Sequence, residues 1–117
     1  LREGKSIWYS PDQDFGRDQA VFAPFFGIQA ATLVATSRLA KMGRAKPVGI
    51  AHYRDPITHR YRIVLTPVDD AFPTGDDQKD ATIINAMLEK AIRVQPEQYM
   101  WVHRRFKTRP EGEPSLY

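Results

Sequence analysis

Two carboxylates two residues apart, Asp12 and Asp14, sit in the polar stretch Ser10-Pro11-Asp12-Gln13-Asp14-Phe15-Gly16, directly after the apolar run Ile7-Trp8-Tyr9. Such a pair can accept hydrogen bonds from a sugar or amine, or orient a cation. An aspartate in a proline-containing loop equally makes an Asx turn with its own backbone. Arg17 follows closely and can pair with either carboxylate or bind a phosphate through its planar guanidinium. The run His103-Arg104-Arg105-Phe106-Lys107-Thr108-Arg109 is the most charged in the chain, with Tyr99 and Trp101 just before it. It suits an anionic or phosphate ligand, a strip that binds nucleic acid, or a solvated helix end whose cations complement the dipole. Aromatic rings beside arginines tilt this choice towards a water–lipid boundary.

The three histidines, His52, His59 and His103, bring general-base chemistry into view. No Gly-x-Ser-x-Gly elbow accompanies them, and no two stand four or five residues apart as a zinc-binding helix requires. His52 with Asp55 reads as a base with its orienting acid, or more simply as a turn with a solvent-facing histidine. His59 lies in a hairpin connection and carries little functional weight. The absence of cysteine excludes disulfides and thiolate metal sites, and no metal or organic cofactor is indicated.

These residues need elements to hold them. Ile7-Trp8-Tyr9 reads as a short buried strand that delivers the acidic loop at its carboxyl end, a common place for a ligand site in α/β folds. Val21 to Gly27 reads as an apolar loop. Ile28, Ala31, Ala35, Leu39 and Met42 then recur every three or four residues, predicting a helix of about four turns that ends near Gly43 with basic residues in its last turn. Lys46–His52 and the alternating Tyr61, Ile63 and Leu65 predict a hairpin whose second strand is half exposed. Asp76 or Asp77 caps a second helix with the stripe Ile83, Ile84, Met87, Leu88, Ala91 and Ile92, closed by Pro96. The expected class is α/β, a partial mixed sheet flanked by helices, in a single partial domain over residues 1–117.

Bulk properties narrow the class without deciding function. The 117 residues suffice for one modest core, and 42% hydrophobic with 26% charged residues argues against disorder. A net charge of +3 fits an anionic partner but is too small to choose among nucleic acid, phospholipid and an acidic protein. No apolar run approaches the ~20 residues that span a bilayer. The opening Leu1-Arg2-Glu3-Gly4-Lys5 reads as the end of a helix turning into a strand, so an upstream segment is expected.

Two segments, in this order, resemble one family. Ile7-Trp8-Tyr9-Ser10-Pro11-Asp12-Gln13-Asp14-Phe15-Gly16 and Glu97-Gln98-Tyr99-Met100-Trp101-Val102-His103-Arg104-Arg105-Phe106-Lys107-Thr108-Arg109-Pro110 resemble the lipid A late acyltransferases of the lauroyl/myristoyl type. Phe25-Phe26-Gly27, Ala31-Thr32 and Pro47-Val48 stand where that family has similar residues. The resemblance implies the C-terminal part of a glycerolipid-acyltransferase-like fold at the cytoplasmic face of the bacterial inner membrane, with a hydrophobic anchor upstream. It implies transfer of a fatty acyl chain from an acyl carrier protein thioester to a hydroxyl of a Kdo-lipid A precursor. The partners implied are the acyl carrier protein, the lipid A precursor and the membrane surface, with no nucleic acid. In that family a histidine followed five positions later by Asp or Glu acts on the acceptor hydroxyl. Here Ile57, Val64 and Thr108 stand five positions after the three histidines, so the motif is expected upstream and the 117 residues alone are expected to be inactive. The resemblance puts Asp12 in the active-site loop with Asp14 and Arg17 supporting it, and gives His103, Arg104 and Arg105 to the anionic head group or carrier protein. The competing reading is a small basic module that binds anionic lipid or nucleic acid without catalysis.

Overall fold

The computed structural model describes residue 1 and residues 3–117; Arg2, part of the opening turn read from the sequence, lies outside them. Its elements are β1 (Ala20–Phe25), β2 (Ile28–Leu33), α1 (Ala35–Gly43), β3 (Val48–Arg54), β4 (Tyr61–Pro67), α2 (Asp77–Ile92) and a 3₁₀ turn (Pro96–Gln98). Strands and helices are mixed as an α/β chain requires. The described strands form two separate antiparallel pairs, β1 with β2 and β3 with β4, in place of the one mixed sheet expected.

The first hairpin overturns two readings at once. Phe26 and Gly27 both take positive φ, 49° and 79°, as the tightest two-residue hairpin turns require. Phe25 therefore faces Ile28, and the ladder runs back to Ala20 opposite Leu33. Residues 28–33, expected as the first turns of a helix, are a strand, and 20–25, expected as loop, are its neighbour. The cause is burial on both faces. Ala30, Ala31 and Thr32 are all buried in succession, so the alternation that marks a half-exposed strand is lost and the apolar spacing imitates a helix.

Helix α1 keeps only the second half of its expected length. It ends at Gly43 as read, with Lys41 in its last turn and Arg44 in the left-handed region. The amide of Ala45 closes the end by donating to the Ala40 carbonyl at 3.0 Å. Ile7-Trp8-Tyr9 joins neither sheet, and Ile7 and Trp8 are exposed, so no buried strand leads into the acidic loop.

Helix α2 forms as its pattern predicts. Asp76 is the cap, accepting from the amides of Gln78 and Lys79 at 2.9 and 3.0 Å. Ala81, Ile84 and Ile92 are its buried apolar residues, and Leu88 packs against both core clusters. One cluster gathers Phe25, Ala30 and Ile92 with Tyr99 and Phe106; the other gathers Ala40, Phe72 and Ile84. The helix is thus the spine of the molecule. It also binds the first hairpin through polar groups, since Glu89 accepts the Phe26 amide at 2.8 Å and Asn85 donates to the Pro24 carbonyl at 3.0 Å.

Candidate functional site

The site grows from Asp14, which the fold buries to 2% exposure. One carboxylate oxygen, Oδ1, accepts the Gly16 amide at 2.9 Å, an Asx turn of the kind the loop composition suggested, and the Thr108 hydroxyl at 2.8 Å. The other, Oδ2, accepts the Thr108 amide at 2.9 Å. The Asp14 amide in turn donates to Nε2 of His103 at 2.8 Å. A carboxylate met by three donors is well satisfied, and charge-assisted bonds of this kind are the stronger sort. Together they clasp the acidic loop to the basic C-terminal segment, which is folded as a series of turns and not as a helix end.

Asp12 is more open. Its Oδ1 accepts the Ser10 hydroxyl at 2.6 Å, and its carbonyl accepts a long bond, 3.4 Å, from the Tyr99 phenol. Tyr99 is half-buried, and burial pushes its pKa well above that of a free phenol. The Asp12 charge pushes the same way, while Arg105 opposes it. The phenol is therefore a hydrogen-bond donor throughout the neutral range.

Arg105 occupies the centre of the core at 1% exposure. Its Nη1 donates to the Ala31 carbonyl at 2.7 Å, its Nη2 donates to the Thr32 hydroxyl at 3.1 Å, and the guanidinium lies 5.2 Å from the Phe25 ring centre. Its Nε–H has no hydrogen-bond partner among the described residues. Burial lowers its pKa, and the Tyr99 phenol with the charges of Asp14 and Asp12 counters that effect. Arg104, its neighbour, turns outward over the Tyr117 ring at 5.7 Å. Arg17 joins neither carboxylate in an ion pair. It donates to the Arg109 carbonyl at 2.5 Å and lies over Phe22.

The structure thus brings together Asp12, Asp14, His103 and Arg105, with Tyr99 and Thr108 completing the group. It holds Arg17 at the edge and Arg104 on the surface. Thr108 escaped the sequence reading because nothing in its spacing announces a bond to a residue 94 positions away. Beside the loop lies an open groove of about 640 Å³ lined by Trp8, Tyr9, Ser10, Gln13, Phe15 and Leu33. His52 and His59 stand apart on the β3–β4 hairpin, and Nδ1 of His59 is 2.7 Å from the Arg54 guanidinium. Among the described residues no three His, Cys, Asp or Glu side chains gather to hold a metal ion, and no helix is long and apolar enough to cross a membrane.

The family described as bacterial lipid A biosynthesis acyltransferase matches residues 1–108, which take in both halves of this clasp. The chain belongs to that family. It is 44% identical to the lipid A biosynthesis lauroyltransferase of Escherichia coli (strain K12) over 118 aligned positions, covering all of this chain and 39% of the relative. The palmitoleoyltransferase and the myristoyltransferase of the same organism are 42% and 38% identical, with 38% and 36% of their lengths covered. This member of the lipid A acyltransferase family therefore spans less than two fifths of the length of the curated relatives it matches.

Proposed function

We propose that this chain supplies the acceptor-side wall of a lipid A acyltransferase, which moves a fatty acyl chain from acyl carrier protein to a hydroxyl of a Kdo-lipid A precursor. The observation that carries the reading is the family match across residues 1–108, within which the acidic loop and the basic segment meet through Asp14 and Thr108. In such a transfer the acceptor oxygen attacks the thioester carbonyl carbon and the carbon–sulfur bond breaks. The hydroxyl proton passes to a base, and the carrier leaves as a thiolate that regains a proton. The thioester is already reactive, so the protein mainly has to activate the oxygen and align the two substrates.

The base is not among the residues described, because none of the three histidines has Asp or Glu five positions on. The reading gives Asp12, half-buried beside Tyr99, the hydrogen bond from the acceptor, supported by its openness relative to Asp14. Asp14, His103 and Arg105 position that loop: the first two are committed to the clasp and the third to the core. Arg104 and Arg17, both exposed, are the cations available to an anionic head group, to the carrier protein or to the cytoplasmic face of the inner membrane. The aromatic lining of the neighbouring groove suits an acyl chain.

The test is Asp12→Ala in the complete polypeptide as its source cell makes it. Turnover should fall about 100-fold or more with the circular dichroism spectrum unchanged, and Arg104→Glu should raise the Michaelis constant chiefly at low salt. Full turnover in the Asp12 variant refutes the assignment. The 117-residue chain by itself should show no transfer above a protein-free control.

A further inference from the structure

The β3–β4 hairpin carries its apolar residues on the wrong side. The register pairs Val48 with Pro67, Ile50 with Leu65, His52 with Ile63 and Arg54 with Tyr61, which puts these eight residues on one face. The opposite face meets α2, with the Tyr53 hydroxyl donating to the Ala91 carbonyl at 2.8 Å and Gly49 lying under the Met87 side chain. Among the described residues no helix or further strand packs on the first face. Ile63 and Leu65 are each 65% exposed, and Val48, Ile50 and Tyr61 are exposed beside them. Residues 63–65 are Ile-Val-Leu, an unbroken apolar run. Such runs mark strands covered on both sides, whereas a strand with one wet face alternates.

We propose that this outer face is an internal interface of a longer polypeptide. Its occupant is the portion of an acyltransferase-length chain that these 117 residues do not span, laid across the sheet as its second covering layer. Three observations favour that occupant. The relatives extend well beyond the matched region, which is only 36–39% of their length in the three compared above, so a covering layer is available. Two seven-residue strands at ~3.3 Å per residue and ~4.8 Å spacing present on the order of 220 Å². Pairing that with a second copy buries only a little over a third of the ~1,200 Å² at the lower end of stable interfaces. Finally, among the described residues no further strand pairs with either outer edge of the two-stranded sheet, and Gln98 meets only the Arg54 end of β3. A lipid surface covers apolar side chains but satisfies no edge amides or carbonyls.

The absence of native cysteine in residues 1–117 provides the probe. Ile63→Cys and Leu65→Cys, with Lys90→Cys on the exposed side of α2 as the control, are reacted with a charged maleimide in two proteins. One is the 117-residue chain and the other is the complete polypeptide from the source cell, with labelling of the unsubstituted protein subtracted. In the short chain positions 63 and 65 should react at rates close to the control. In the complete polypeptide they should react at least tenfold more slowly, in detergent and at all protein concentrations, while Lys90→Cys is unchanged. Equal reactivity in both proteins, or a cellular product no longer than 117 residues, overturns the proposal. Protection that appears only on vesicles assigns the face to lipid, and protection of the short chain that grows with its concentration assigns it to a second copy; either result also overturns it. The readout is independent of acyl transfer, so it stands or falls separately from the function of the Asp12 loop.

Discussion

At the scale of single residues, the site is a set of polar groups that the core has made expensive to disturb. Tyr99 shows the consequence for pH. Its phenol titrates higher in the folded chain than in the unfolded one, first because it is buried and then because Asp12 lies beside it. Below about pH 10, the ordinary phenol value, both states hold the proton and the stabilisation is complete. As pH rises past that value the unfolded chain ionises first, so the unfolded state gains and stability falls. Thermal midpoints measured from pH 8 to 11 should therefore drop steeply above about pH 10 and drop less in Tyr99→Phe, which cannot ionise. Tyr9, whose phenol burial also raises, keeps part of the slope in that variant. Identical slopes in the two proteins would mean that Tyr99 is solvated and that its contact with Asp12 is not maintained.

At the scale of elements, Thr32 is where β2, α2 and the C-terminal segment meet. Its hydroxyl donates to the Ala30 carbonyl at 3.0 Å and accepts from Asn85 at 2.9 Å and from Arg105 at 3.1 Å. Thr32→Val keeps the shape and removes the acceptor, leaving Arg105 Nη2 without its partner and Asn85 with only the Ala23 and Pro24 carbonyls. The expected cost is about 1–3 kcal/mol, read as a lower denaturant midpoint at an unchanged slope. A loss under about 0.5 kcal/mol, the usual effect of a surface change, would show that Asn85 and Arg105 find other acceptors. The same junction explains what could be read from the sequence and what could not. Helix α2 was legible because one of its faces is wet, so its apolar stripe stands out, and the Asp76 cap precedes it. The β3–β4 hairpin was legible because Tyr61, Ile63 and Leu65 recur at every second position between Arg60, Arg62, Val64 and Thr66, although that pattern hid which face the chain itself covers. The strand β2 was not legible, because Ala30, Ala31 and Thr32 are buried in succession, which erased its alternation. The acidic loop and the basic segment could each be singled out by composition. Their union through His103 and Thr108 could not, since it rests on contacts between residues some ninety positions apart.

At the scale of the whole molecule, that union closes the chain on itself: residues 10–17 and 99–109 share one polar cluster while α2 and the first hairpin form the body beneath. The clasp depends on Asp14 being an acceptor at both oxygens. In Asp14→Asn one oxygen becomes an amide nitrogen, and a donor then faces either the Thr108 amide or the Gly16 amide and Thr108 hydroxyl. A bond of about 1.5–3 kcal/mol to a charged group is exchanged for an unsatisfied contact, so the amides of Gly16 and Thr108 should lose at least tenfold in hydrogen-exchange protection. The amides of Ile84, Asn85 and Leu88 should hold theirs, because α2 draws its stability from Phe25, Ile92, Ala40 and Phe72 and not from the clasp. Local loss confined to the two clasped segments would define a unit that can open to admit an acceptor without unfolding the body. An equal loss along α2 would instead make the clasp part of one cooperative core, and any opening of the Asp12 loop would then cost the stability of the entire fold.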